Sequence, residues 1–139
     1  TPECDPVPSG TDDRDGSPVS FAILTDLAAR VTDQRLSFVF PGQGSQAIGM
    51  LAELSELHPQ IRDTFVEASD GAGVDLWALS QGGPEEMLNR TEYTQPALLA
   101  TSIAVWRSLG ISPQSGLCVA GHSLGEYTAL VVAVAVLRL

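Results

Sequence analysis

Apolar residues follow two different spacings along the chain, and each spacing predicts a different element. Two short runs, 36–40 (LSFVF) and 117–120 (LCVA), are almost wholly apolar, which is typical of strands, and the second is expected to be buried in a parallel sheet. Between these runs apolar residues recur three and four positions apart, which predicts amphipathic helices. The order strand, helices, strand, helix indicates an α/β fold with right-handed crossovers.

Prolines and glycines predict where the helices begin and end. Pro59 and Pro84 stand at first-turn positions, where a missing N–H is tolerated, and Gly71 is expected to end the helix that begins at Pro59. Pro96 is interpreted in the same way, as the start of a longer helix that ends at Gly110. The inward positions expected on these helices are Ile61, Phe65, Val66, Ala68, Leu99, Ile103 and Trp106.

The first 34 residues differ in composition from the rest. Residues 1–20 hold four prolines and few large apolar side chains, so this segment cannot bury enough surface to order itself. Residues 21–34 are compatible with one short amphipathic helix. We therefore divide the chain into an extension, residues 1–34, and a folded part, residues 35–139.

Composition narrows the class of protein and its partners. The 139 residues are 44% hydrophobic and 17% charged, as in ordinary globular domains, and the net charge of −10 disfavours nucleic acid and anionic membranes as partners. The longest apolar run, 129–137, is much shorter than the roughly 20 residues of a membrane-spanning helix. Cys4 and Cys118 have neither zinc-ligand spacing nor a disulfide framework, and no secretory signal is visible. These features predict a cytoplasmic protein without a metal site.

The most specific motif is GHSLG at 121–125, which fits G-x-S-x-G between a predicted strand and a predicted helix. In this setting the serine lies on a strained turn, flanking glycines avoid clashes, and the hydroxyl is held at the carboxyl edge of the sheet. The next helix directs its free N–H groups at the place where an anion forms in acyl transfer. Ser123 is therefore the candidate nucleophile, and the alternative is a plain strand-to-helix turn.

Two further motifs accompany the elbow, FPGQGSQ at 40–46 and TQPA at 94–97. Together and in this order, the three motifs resemble the bacterial malonyl-CoA:acyl-carrier-protein transacylases, over residues 36–132. The resemblance implies a ping-pong reaction of fatty acid synthesis, in which Ser123 accepts malonyl from malonyl-CoA and passes it to the phosphopantetheine thiol of acyl carrier protein. It implies no cofactor, since malonyl-CoA is the acyl-donor substrate.

The resemblance also implies roles for individual residues. The backbone N–H groups of Gln43 and Leu124 would form the oxyanion hole, while His122 and Gln95 would line the acyl pocket. A histidine packed beside the strand end is the alternative for His122, which we reject as the base because neighbours on a sharp turn point apart. The fold implied for residues 35–139 is the N-terminal part of an α/β-hydrolase-like acyltransferase subdomain.

The resemblance places the family's catalytic histidine, its malonate-binding arginine and its ferredoxin-like subdomain beyond Leu139. Because a serine hydroxyl needs a general base, we expect these 139 residues alone to be poorly active. Arg62, Arg90 and Arg107 are interpreted as solvated helix charges rather than as a patch for docking the acidic carrier protein.

Two other functions remain open. A serine esterase or thioesterase of the α/β-hydrolase class uses the same elbow, although its usual His-Gly-Gly type loop is not seen in this sequence. The other alternative is a non-catalytic, truncated remnant, which would expose apolar faces meant for a missing part.

Overall fold

The computed structural model describes residues 37–111 and 118–137, and in the last two of these residues only the backbone. Two strands and six helices lie in these ranges: β1 Ser37–Phe40, α1 Ala52–Leu57, α2 Gln60–Ala72, α3 Leu76–Gly82, α4 Glu85–Leu88, α5 Thr91–Ser108, β2 Cys118–Gly121 and α6 Leu124–Leu137. The predicted extension, 1–34, lies outside the described residues.

The two strands pair in parallel, with Ser37 opposite Cys118 and Phe40 opposite Gly121. The prediction of an α/β fold with parallel strands is confirmed. The prediction that the second strand is buried is wrong for its described residues, because Cys118 and Ala120 are exposed. Helices cover one face of this strand pair, and Val39 on the other face is 75% exposed.

A closed helical cluster joins α2, α3, α4 and α5. Phe65 is completely buried at its centre and meets Trp77 edge-on, with ring centroids 5.1 Å apart. Ile61 and Phe65 face inward as predicted, whereas Val66 is 61% exposed. The buried members of the helical cluster are Ile61, Phe65, Leu76, Leu79, Leu88, Ala97, Ala100 and Ala104.

Helix α5 begins before Pro96, and the prediction that this proline opens the helix is wrong. The first turn forms ahead of the proline because the buried Thr94 hydroxyl lies within hydrogen-bond distance of the Leu88 and Arg90 carbonyl oxygens. Gly110, with φ of 59°, follows the helix end as predicted. The predicted inward residues of α5 are only half-buried: Leu99, Ile103 and Trp106.

A smaller sheet cluster lies between the strands, α5 and α6. Its buried members are Phe40, Ala129 and Val132, and Phe38 packs edge-on against Trp106 with ring centroids 4.9 Å apart. The opposite face of α6 leaves four large apolar side chains exposed: Tyr127, Leu130, Val131 and Val134. Within the described part of the chain, no helix is both long enough and apolar enough to cross a membrane.

Candidate active site

Ser123 lies on the turn between β2 and α6, at the carboxyl end of the strand. Its φ is 54°, a left-handed conformation that is unfavourable for residues other than glycine, and its side chain is exposed. Two hydrogen bonds close the turn: the Gly125 N–H donates to the His122 carbonyl at 2.9 Å, and the Glu126 N–H donates to the Ser123 carbonyl at 3.0 Å. This is the strained strand-to-helix geometry expected of a G-x-S-x-G motif.

The glycines of the elbow allow three backbone segments to meet. A Cβ atom on Gly121 would overlap the Gly125 carbonyl, and one on Gly125 would overlap the carbonyl of Phe40 at the end of β1. The His122 N–H also donates to the Phe40 carbonyl, at 3.2 Å. The position of Ser123 is therefore set against the end of β1 as well as by its own strand.

The predicted glycine loop, residues 41–46, meets the elbow at Gly42. A Cβ atom there would lie 2.9 Å from the His122 carbonyl oxygen, 3.2 Å from His122 Nδ1 and 3.4 Å from Ser123 Cβ. Only glycine fits this close approach without displacing a neighbour. The fold thus brings together two motifs that lie about 80 residues apart in the sequence.

The two N–H groups predicted for the oxyanion hole lie on these touching segments. Gln43 follows Gly42 in the loop, and Leu124 follows Ser123 at the start of α6. The hydrogen bonds that close the elbow use the N–H groups of the next two residues and do not use that of Leu124. Both N–H groups lie next to the contact between the two segments, and their role in an oxyanion hole stays a prediction.

His122 and Gln95, predicted to line the acyl pocket, both have exposed side chains. His122 lies against Gly42, and among the described residues no hydrogen bond joins its ring to Ser123, so its role stays a prediction. Gln95 borders an open groove of about 670 Å³ at the start of α5, which Thr91 also lines. No hydrogen bond within 37–111 and 118–137 joins Gln95 to Ser123, so its role stays a prediction.

Sequence reasoning missed two residues that hold the glycine loop from the helical side. Gln43 Nε2 donates to Thr91 Oγ1 at 3.0 Å, and Gln46 Nε2 donates to Asn89 Oδ1 at 2.8 Å. These pairs are separated by 48 and 43 positions, and no local pattern identifies contacts of such range. The only available signal was the run of polar residues just before the TQPA motif.

The three arginines named in the sequence each contact a neighbouring side chain. Arg62 lies over the Trp77 ring at 5.0 Å and Arg90 over the Tyr93 ring at 5.4 Å, while Arg107 donates to Glu67 at 2.8 Å. The hydrogen bond from Arg107 and its positive charge lower the pKa of Glu67. Across the described ranges, no cluster of histidine, cysteine and acidic side chains could hold a metal ion.

Comparisons of the sequence and of the structure with known proteins point to the same family. Residues 37–138 match the Acyl transferase domain family. The malonyl CoA-acyl carrier protein transacylase of Salmonella typhimurium is 55% identical over 103 residues, which are 71% of this chain and 32% of that protein. A crystal structure of malonyl-CoA:acyl carrier protein transacylase from Xanthomonas oryzae pv. oryzae is 75% identical, with a TM-score of 0.67 over 73% of this chain and 33% of that one.

A further solved structure is described as a type II PKS acyl-carrier protein in complex with its malonyl-transacylase. It is 56% identical, with a TM-score of 0.67, and the match covers 72% of this chain and 33% of the other. The chain thus spans about a third of the length of the relatives it matches.

Proposed function

Since the chain belongs to the Acyl transferase domain family, we propose that it carries the nucleophile and the oxyanion hole of a malonyl-CoA:acyl-carrier-protein transacylase. The observation that carries this proposal is the contact between the strained Ser123 elbow and Gly42 of the glycine loop. The names of the relatives supply the substrates, malonyl-CoA and acyl carrier protein. The pathway that we propose for this malonyl transfer is fatty acid synthesis.

The reaction has two half-reactions at one serine. Ser123 Oγ attacks the thioester carbonyl of malonyl-CoA, the carbon–sulfur bond breaks, and CoA leaves as a thiol that takes up the serine proton. The phosphopantetheine thiol of acyl carrier protein then attacks the malonyl ester, and the bond from carbon to Ser123 Oγ breaks with return of the proton. Each attack forms an oxyanion, which needs hydrogen-bond donors in place.

The donors in this proposal are the backbone N–H groups of Gln43 and Leu124. The contacts of Gly42 with His122 and Ser123 support it, because they bring the two backbone segments together beside the nucleophile. Loss of one such donor typically lowers the rate by about 10²–10³-fold. His122 and Gln95 line the acyl pocket in this proposal.

Proton transfer from Ser123 requires a base. Within the described ranges no imidazole or carboxylate hydrogen-bonds the Ser123 hydroxyl. We propose that the base and the malonate-binding arginine come from parts of an acyltransferase outside the third that these residues match. We also propose a cytoplasmic location. Among the described residues Cys118 has no disulfide partner, as is usual for cysteines in reducing compartments.

The test uses the protein in its full natural length. It is incubated with malonyl-CoA, digested, and the peptide that contains Ser123 is weighed by mass spectrometry. Malonyl should appear on Ser123, should be absent in Ser123→Ala and should persist in Ser102→Ala, a change in a serine of α5 outside the site. Absence of malonyl from Ser123 in the unaltered protein would contradict the proposal.

Addition of holo acyl carrier protein separates transfer from hydrolysis. The malonyl group should leave Ser123 and appear on the phosphopantetheine thiol. Release of free malonate without acylation of the carrier would instead support the thioesterase alternative, because the two functions differ in whether the second nucleophile is a thiol or water.

A further inference from the structure

The glycine loop, residues 41–46, is held internally by side chains: Ser45 Oγ donates to the Gly42 carbonyl oxygen at 3.1 Å, and the Gly44 N–H donates to Gln46 Oε1 at 2.9 Å. Within the described ranges no backbone-to-backbone hydrogen bond involves these six residues. Gly44 has φ of 108°, a value that residues other than glycine rarely adopt. Glycine permits this backbone conformation but does not favour it over the others open to glycine. The side chains that contact the loop must therefore decide its shape.

One amide side chain connects the loop backbone to the helical side. Gln46 Oε1 accepts the Gly44 N–H at 2.9 Å, while Nε2 of the same amide donates to Asn89 Oδ1 at 2.8 Å. Because both ends of the amide are engaged, Asn89 fixes the orientation of the group that holds Gly44. Asn89 thus acts on the backbone that directly follows Gln43.

A second bridge engages the side chain of Gln43. Its Nε2 donates to Thr91 Oγ1 at 3.0 Å, at the first residue of α5. The side-chain amide is thereby occupied in holding the loop, and the backbone N–H is the group that the loop can offer to a reacting carbonyl. Thr91 supports one end of the same short segment that Asn89 supports at the other.

The helix corner that carries both partners is anchored in the closed helical cluster. Between Asn89 and Thr91 the chain passes from α4 to α5, and the side chains of Leu88 and Thr94 on either side are completely buried. The Arg90 carbonyl at the corner also accepts the N–H groups of Tyr93 and Thr94, each at 2.8 Å. The loop is therefore attached to a firm support.

We propose that Asn89 and Thr91 are positioning residues, which hold the glycine loop through Gln46 and Gln43 and so aim the Gln43 N–H at the reaction centre. This inference rests on the proposed function for its effect on rate. Its structural part, that the two bridges set the loop conformation, does not depend on any reaction.

The experiment pairs a variant that removes each hydrogen-bonding group with one that keeps it. Thr91→Val removes the hydroxyl and Thr91→Ser retains it, while Asn89→Leu removes the acceptor oxygen and Asn89→Asp retains it. Hydrogen exchange at the Gly44 amide is measured in a Ser123→Ala background, and the rate of malonyl transfer to Ser123 is measured with the serine present, in the protein at its full natural length.

Thr91→Val and Asn89→Leu are each expected to speed Gly44 exchange and to slow malonyl transfer by about 3- to 10-fold, the range for loss of one ordinary hydrogen bond. KM for malonyl-CoA should change less than about twofold, since only stabilisation of the transition state is lost. Thr91→Ser and Asn89→Asp should stay within about twofold of the unaltered protein in both measurements.

Two results would contradict the inference, and a third would contradict the proposed function on which its effect on rate rests. Unchanged Gly44 exchange in Thr91→Val and Asn89→Leu would show that the bridges do not hold the loop. Equal slowing by the variants that keep the hydrogen bond would assign the effect to packing at the corner. If Ser123 in the unaltered protein never accepts malonyl, the proposed function fails, and Gly44 exchange still decides whether the bridges hold the loop.

Discussion

The helical cluster and the sheet cluster differ in how far the described residues close them. The helical cluster has completely buried large side chains such as Phe65, Ile61 and Leu76 at its centre. The sheet cluster has three buried members. On the faces that point away from this cluster, both strands and α6 present apolar side chains to solvent. The helical cluster thus encloses its large central side chains, whereas the strands that lead to Ser123 are covered by helices on one face only.

This difference explains how an open region can hold a strained turn. Glycine contacts between backbone segments fix the elbow against β1, and the side-chain bridges to Asn89 and Thr91 tie the glycine loop to the closed cluster. The geometry of the site therefore depends on close backbone contacts and on a few hydrogen bonds more than on a surrounding core.

Among substitutions that only remove atoms, the largest expected effect comes from the centre of the helical cluster. Phe65→Ala should lower the free energy of unfolding by about 3–5 kcal/mol, since it leaves a cavity beside Trp77. Phe38→Ala, in the sheet cluster, should cost about half as much because Phe38 is only half-buried. Urea unfolding followed by circular dichroism measures both. Val66→Ala, at an exposed neighbour, is the control, and equal losses at Phe65 and Phe38 would contradict the comparison.

A smaller loss is expected from the elbow. Gly125→Ala forces a methyl group against the Phe40 carbonyl, which should lower stability by about 1–3 kcal/mol and abolish malonyl transfer to Ser123. Gly71→Ala, near the end of α2, meets nothing within 4 Å and should instead stabilise the chain by about 0.4–1 kcal/mol. Thermal unfolding and the mass of the Ser123 peptide test the pair, and tolerance of Gly125→Ala would show that β1 does not position Ser123.

The ion pair between Arg107 and Glu67 should contribute less to stability than the glycine contacts of the elbow. Because Arg107 lowers the pKa of Glu67 below its ordinary 4.5, the charge adds stability above that pH, and the contribution disappears as the pH falls through the lowered pKa. Glu67→Gln keeps the hydrogen-bond acceptor and should cost about 0.2–1 kcal/mol at neutral pH, the range for exposed pairs. Urea midpoints at neutral and strongly acidic pH test this expectation. A difference that persists in acid would not come from the charge.

The smallest change in stability is expected on the uncovered face of α6. Leu130 is 63% exposed, so Leu130→Lys should alter the free energy of unfolding by less than about 0.5 kcal/mol while reducing self-association of the chain. Val132→Lys, on the covered face where the side chain is 1% exposed, should prevent folding. Light scattering and thermal unfolding distinguish the two. A large loss of stability in Leu130→Lys would show that this face is covered.

Local patterns in the sequence predicted the parts of the fold that depend on local chemistry. The elbow follows from three fixed residues between a strand and a helix, and Gly110 ends α5 because its positive φ suits glycine. The prediction for Pro96 was wrong because the rule that proline opens a helix considers only neighbouring residues. In the fold, a buried hydroxyl on Thr94 stabilises the helical turn before the proline. The burial of β2 was also mispredicted, since an apolar run does not reveal whether both faces are covered.

The residues that hold the glycine loop could not be predicted either, because local sequence patterns do not reveal contacts between distant parts of the chain. Thr91 and Asn89 are ordinary polar residues, and only the fold brings them to Gln43 and Gln46. The oxyanion-hole roles of Gln43 and Leu124 came from resemblance, and the geometry adds that their backbone segments are in contact.

The end of β1 contacts the elbow and leads directly into the glycine loop, so the site is sensitive to insertions and deletions there. The Phe40 carbonyl accepts the His122 N–H and lies against Gly125, while the chain continues from Phe40 directly into the glycine loop. A single residue added or lost between β1 and Gly42 would therefore move the loop relative to Ser123, although neither motif had changed. Natural length variation among such chains should accordingly avoid this junction.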